Sequence, residues 1–458
     1  MRNLCWKLAF LLGGTWLAPG LPVAPIVAAE PADKAPDLEQ EVRRLLANLG
    51  GETRAQRIAA EKRLLELGPK VLPLLPAPEL LPSNSVREAV RKIRIELERR
   101  QARESALPSK VNLAGSKTLA ETLAEIARQT GNRLDGQRLT ERLLNEAVEL
   151  DFGEVPFWQV LDKLTARIKV RYEFDPALRG LILLPVGPGG RVPETAACYA
   201  GAFRVTALPA ERIRQGAPRR NDGKLRLSDD LVRVRLLLMP EPRLRPLFLQ
   251  YAVSEVTART REKLELKAFN PEANYELPLG EGGGPTRIQP EYLLPETAAA
   301  TGLDVKGKLR CTTAAGHEVI RFTELDKAVV ARSGNLARRR GGVTVTLNRV
   351  RVEPSSSGKQ NAHVQVTVTY DSGGPAFESH HRWILHNDVF LEDGDGKRVN
   401  LNGGSETGAV ADGGAAIEYH FSDLPGTIAD YTFAYVAPTL IVDVPIEFEI
   451  QSVPVGRK

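Results

Sequence analysis

Three kinds of hydrophobic spacing follow one another along the chain of 458 residues. From Leu38 to about Arg103 apolar residues recur at steps of three and four. From Val111 to Val186 short alternating runs change places with helical stripes, and from about Cys198 the step is almost everywhere two. A period of 3.6 marks amphipathic helices and a period of 2 marks half-buried strands. The predicted order is therefore a helical segment, a small α/β module and a long β-rich region.

In the helical segment, Arg57, Ala60, Leu64 and Leu67 share one stripe that Gly68-Pro69 ends. A short second helix carries Val71, Leu72, Leu74 and Leu75, and after the breaker at 76–85 Val86, Val90, Ile93 and Leu97 form another stripe. The pattern Arg57-x-x-Ala60-x-x-x-Leu64-x-x-Leu67-Gly68, with the later start Ser85-Val86-Arg87, resembles HEAT-type helical repeats. The resemblance covers 38–103 and implies paired helices stacked on neighbours. About three such units are needed to bury their faces, and only one and part of a second are visible. The segment is therefore expected to dock on another part of the chain, the nearest being the α/β module, or on a partner.

The module opens with the run from Val111 to Leu134, which reads strand, helix, strand. Thr118 and Glu121 fit a capping box. Leu119, Leu123, Ile126 and Ala127 line one helix face, and Gly131 stands at a left-handed helix end. Val148, Leu150 and Phe152 then alternate, and Pro156 opens a helix whose stripe is Phe157, Leu161, Leu164 and Ile168. Two strands follow, giving β-α-β-β-α-β plus one strand, with both helices expected on a single sheet. Thr118–Gly131 and Val155–Thr165 resemble the two half-modules of the short N-terminal domains of secretins and TonB-dependent receptors. The whole layout resembles uncharacterised exported bacterial multidomain proteins that join helical repeats, such a module and β-rich domains. No long amphipathic strand series follows, so an outer-membrane barrel is not expected. Trp158 is expected to be partly buried against the sheet, and Asp162 to be a surface acid.

Beyond the linker at 185–195, Val232, Val234, Leu236 and Leu238 face inward between outward Arg233 and Arg235, and Pro242 and Pro246 frame a rigid turn. The runs from Thr301 to Thr313 and from His317 to Leu325 read as separate strands. In a second β region from Gly342, Val442, Val444, Ile446, Phe448 and Ile450 face one way, while Pro445, which cannot donate to a ladder, predicts an edge strand. The expected fold is thus α+β multidomain: a HEAT-like segment at 38–103, a secretin-N-terminal-like module at 108–186, and β-sandwich-like domains at 196–333 and 341–454.

The first residues change the picture of where the protein works. Arg2 and Lys7 precede the apolar run Leu8–Leu17, and Val27 and Ala29 stand at small-residue positions before Glu30. Residues 1–29 read as a secretory signal peptide cut between Ala29 and Glu30. The run is too short and too rich in proline to span a membrane, and no later segment reaches that length, so no transmembrane segment is expected in the mature chain. Removing Arg2 and Lys7 takes the net charge from +5 to +3, which gives no footprint for nucleic acid. The Arg-rich run from Arg87, interleaved with Glu88, Glu96 and Glu98, reads as a solvated helix face. Arg338–Arg340 read as a loop tip.

Chemistry is sparse. Cys198 and Cys311 could pair in an exported protein, or stay as two free buried thiols. Of six histidines, His380, His381 and His386 cluster. In a strand His380 and His386 would share a face about 20 Å apart, and His380 and His381 would oppose each other, so no metal-ligating set is expected. Glu392–Val399 fits an Asp-Gly hairpin turn better than a calcium loop. Gly403–Gly408 does not match a nucleophile elbow, because Thr407 fills its last position. No catalytic residues and no cofactor are expected. The leading expectation is an exported, non-catalytic interaction or envelope-scaffold protein whose partner is a protein or envelope polymer. Open beside it are an accessory of a secretion or envelope transport system, and an envelope-polymer hydrolase whose site converges only in space.

Overall fold

The computed structural model describes residues 38–456 apart from 188–195, 214–219, 222–223, 226–229, 280–283, 296–300, 331–335, 372–386 and 412–413. It is a mixed α and β chain with several sheets.

The helical segment consists of α1 (Leu38–Leu49), α2 (Arg54–Leu67) and α3 (Asn84–Ser105), with 3-10 turns at Pro69–Leu74 and Pro78–Leu80. Thr53 caps α2 in a capping box with Gln56, and Gly68 closes it at φ 77°. Ala60, Leu64, Val71, Val90, Ile93 and Leu97 bury into one small core of the segment's own. Arg57 does not join it. Its guanidinium donates to the carbonyls of Gly51 and Glu52 and ties down the α1–α2 turn.

The module comprises β1 (Lys110–Thr118), α4 (Leu119–Thr130), β2 (Leu134–Asp135), α5 (Glu141–Leu144), β3 (Ala147–Pro156), α6 (Phe157–Ile168), β4 (Val170–Asp175) and β5 (Gly180–Pro185). The Thr118–Glu121 capping box and the left-handed Gly131 are present. The strands form two small sheets instead of one. β1 pairs antiparallel with β3, and β5 pairs parallel with β2 and antiparallel with β4. Leu123, Leu161, Val148 and Leu183 meet in one core between them, joined by Met239 from the following region.

That region continues through β6 (Ala197–Ala200), β7 (Phe203–Ile213), β8 (Arg220–Asn221), β9 (Lys224–Leu225), β10 (Asp230–Pro240), β11 (Arg245–Ala252), β12 (Val256–Thr260), β13 (Asn274–Pro278), β14 (Thr286–Ile288), β15 (Glu291–Leu294) and β16 (Gly302–Phe322). After α7 (Leu325–Val330) come β17 (Leu336–Arg340), β18 (Val343–Pro354), β19 (Gln360–Tyr370), β20 (Val389–Asp393), β21 (Arg398–Asn400), β22 (Ser405–Ala411), β23 (Gly414–Leu424) and β24 (Tyr431–Gly456).

β16 and β24 tie the two β regions together. They pair antiparallel from Gly302↔Pro454 to Phe322↔Phe433, so the separate strands expected at 301–313 and 317–325 are one strand of 21 residues. Along β16 the buried apolar positions are Leu303, Val305, Leu309 and Cys311, then Ala314, Ile320 and Phe322. The buried side changes from odd to even positions, and in a strand that means the other face. β24 changes side in the same way, from Tyr431, Phe433 and Tyr435 in one core to Ile446, Phe448 and Ile450 in the other. The change falls near Leu440, whose φ is 54° and whose N–H reaches Gly341. One half of this ribbon packs with β7, β10 and β11. The other packs with β20 and with the five-stranded sheet β17-β18-β19-β23-β22. The two β regions therefore share one twelve-stranded sheet rather than closing separately. β24 is not an edge strand throughout: it pairs with β20 near its start and with β7 at its end.

Candidate functional site

The parts meet at buried polar junctions, and three residues expected on the surface sit in them. Asp162 on α6 accepts from Tyr172 Oη at 2.7 Å, Tyr199 Oη at 2.6 Å and Arg204 Nε at 2.8 Å, joining the module to β6 and β7. Burial pushes the Tyr172 phenol well above its usual value. Trp158 is fully buried, its indole N–H donating to Ala202 O at 3.2 Å. Glu241, which is 0% exposed, accepts from Ser109 N and Oγ, Asn132 Nδ2 and Arg243 Nε at 2.6–3.2 Å. The Pro242 turn thus holds the link between α3 and β1.

The third junction buries two more residues expected on the surface. Glu98 is not on a solvated face, and Arg339 is not at a loop tip but in β17, on the edge of the five-stranded sheet. Arg339 donates to both Glu98 oxygens, at 2.6 and 3.3 Å, and also to Asp371. These carboxylates hold the guanidinium pKa above its usual value despite burial. The helical segment accordingly docks through α3 on β16, β24 and β17, not on the module next to it in sequence. Beside this contact a cleft of about 890 Å³ opens between the segment and the ribbon. Lys70, Arg94, Glu104, Glu318 and Arg340 line it, and Leu80, 79% exposed, stands among its lining residues.

The outer face of the five-stranded sheet carries a second feature. Ala362, Val364 and Val366 turn inward on β19, as do Ile417, Tyr419 and Phe421 on β23. Period 2 then sends His363, Glu418 and His420 outward. His363 lies directly across from His420, their rings 4.6 Å apart. Glu418 Oε1 is 3.4 Å from His420 Nε2 and 3.7 Å from His363 Nδ1. These three are the only group of potential metal ligands found among the described residues. They are not among the residues expected from sequence, because no single run contains all three. The signal was there as Glu418-x-His420 in an alternating strand, with His363 supplied by the strand beside it.

Cys198 and Cys311 are both free thiols, packed about the same core. The thiol of Cys311 is pushed up to about 12 by burial. Residues 393–398 turn the β20–β21 hairpin, with Asp393 Oδ1 accepting from the N–H groups of Asp395 and Lys397. His380, His381 and His386, and the cleavage position Ala29–Glu30, lie outside the described residues. Among them, no helix is long and apolar enough to cross a membrane.

No family model matches the chain, and no curated protein does. Among solved structures, the chain titled "pT26-6p" aligns with 57% of this chain at 7% identity and a TM-score of 0.13, and this chain spans 64% of that one. At that score the likeness carries no argument about fold or function.

Proposed function

We propose that this is an exported, non-catalytic interaction protein of the cell envelope that binds a segment of a partner protein in the cleft between its helices and its β ribbon. The observation that carries the reading is Leu80, an exposed leucine set in a cleft lined with Lys70, Arg94, Glu104, Glu318 and Arg340. An apolar anchor inside a charged rim is the composition of a recognition surface. In this reading 38–103 is a HEAT-like unit completed by the ribbon, 108–186 is a secretin-type module, and the two β cores are sandwich-like. Export rests on the apolar run Leu8–Leu17 and on Val27 and Ala29.

A photo-crosslinking residue placed at position 80 in the native host tests it. The expected result is one discrete protein adduct, absent when the crosslinker replaces Lys62 on exposed α2. Equal labelling from both positions, or none from position 80, would overturn it.

A further inference from the structure

We propose that His363, Glu418 and His420 form a binding site for a divalent transition-metal ion of the zinc class, on the outer face of the five-stranded sheet. The ion is bound by two imidazole nitrogens and one carboxylate oxygen.

The candidate donor atoms lie within 4.8 Å of one another. Four-coordinate zinc holds nitrogen and oxygen at about 2.0–2.2 Å, which puts neighbouring donors about 3.4 Å apart. The separations of 3.4 and 3.7 Å from Glu418 Oε1 match that edge closely enough for small rotamer shifts to close it. The three side chains come from strands whose register is fixed by buried Ala362, Val364, Ile417 and Tyr419, so the donors are held by the sheet and not by a loop.

His363 Nδ1 and His420 Nε2 are shut off from solvent, yet neither makes a hydrogen bond. A buried polar atom left so has lost its water without gaining a partner, which is unfavourable. Both atoms face the same carboxylate oxygen at distances too long for a good hydrogen bond. A cation between the three would satisfy both nitrogens at once.

The surroundings are arranged to support it. The other ring nitrogen of His363, Nε2, looks toward Glu353 Oε2 at 3.8 Å. A carboxylate on that side favours the tautomer that leaves Nδ1 free to bind metal. Arg351 donates to Glu418 Oε1 at 3.2 Å and lies 3.5 Å from Glu353, bridging the two carboxylates. With an ion bound, Arg351 must turn to the remaining carboxylate oxygens. It is a positioning residue, not a ligand. Two imidazoles and one carboxylate suit zinc, nickel or copper rather than magnesium or calcium, which take mostly oxygen. Three protein donors leave a fourth position for water or a partner's side chain.

The test uses the metal-free full chain, titrated calorimetrically with Zn²⁺ and followed by visible absorption with Co²⁺. Four proteins are compared: wild type, Glu418→Gln, the double variant His363→Ala/His420→Ala, and the triple variant His380→Ala/His381→Ala/His386→Ala. Wild type and the triple variant are expected to bind one equivalent, with the intense cobalt bands of a four-coordinate site. Glu418→Gln and the double variant should bind at least about tenfold more weakly. Should the double variant fail to melt cooperatively, Glu418→Gln decides alone. No binding by wild type, binding unchanged in Glu418→Gln, or binding lost only in the triple variant would overturn the proposal.

Discussion

Arg339 grips both oxygens of Glu98, at 3.3 and 2.6 Å, across 241 positions of sequence. The contact fixes a helix of the first segment to the edge strand of the last sheet, and it sets the form of the cleft beside it. A guanidinium fork on a carboxylate is directional as well as strong, so it fixes an angle of approach that apolar packing alone would leave loose.

Arg339→Ala should destabilise the protein by about 3 kcal/mol, because it leaves Glu98, only 8% exposed in its side chain, a buried charge. Arg94 Nε, 4.0 Å from Glu98 Oε1, stays within ion-pair reach, which keeps the loss at the low end for a broken buried pair. Urea unfolding of the two proteins measures the difference. A change under about 0.5 kcal/mol, the range of exposed pairs, would show the contact to be an ordinary surface one.

Asp162→Asn should cost about 1.5–3 kcal/mol, as hydrogen bonds to a charged group do, because it weakens three donors from three elements together. Tyr199→Phe removes one of them at a half-exposed site and should cost about 0.5–1.5 kcal/mol. If Tyr199→Phe costs as much as Asp162→Asn, the carboxylate is not the hub.

Leu161 and Leu123 lie in one core between the two small sheets of the module. Leu161→Ala and Leu123→Ala should each cost about 2–5 kcal/mol. Unchanged thermal stability of Leu161→Ala would contradict this packing.

Alkaline pH should weaken the fold from about pH 9 upward. Burial raises the Cys311 thiol from 9.0, and the Tyr251 and Tyr435 phenols from 10.0, each to about 12. A raised value favours the neutral form in the folded state. That stability is whole below the unfolded values and is lost as pH climbs through about 9 to about 12. Urea midpoints should fall across this window, and Cys311→Ala should flatten the part between about 9 and 10. A midpoint level up to about pH 11 would contradict the burial of these groups.

What the sequence made legible, and what it hid, follows from the range of the interactions involved. The Thr118–Glu121 cap, the left-handed Gly131 and the inward row Val232, Val234, Leu236 and Leu238 are local patterns, and each stands where its spacing puts it. The β16–β24 ribbon was misread because its buried side switches face between Cys311 and Ala314. A break in alternation looks like a turn in sequence, though the strand runs on. Arg339, Glu98 and Asp162 looked like surface charges because their partners lie tens to hundreds of positions away. The cluster of His363, Glu418 and His420 was hidden for the same reason, since only the register of β19 on β23 brings it together.

Gly307 shows how closely the ribbon is packed. A Cβ there would come within 2.7 Å of the Phe448 ring, so Gly307→Ala should cost about 1–3 kcal/mol through overpacking. Thermal unfolding measures it, and a neutral effect would mean that the ring has room to move.

The central claim is that the helices are a fixed wall of the cleft and not a tethered appendage. Spin labels at Lys62 on α2 and Lys359 in the β18–β19 turn, in a Cys198→Ser/Cys311→Ala background, read it directly by pulsed dipolar spectroscopy. The account predicts a single narrow distance peak that broadens when Arg339→Ala is added. A broad distribution with Arg339 in place would contradict it.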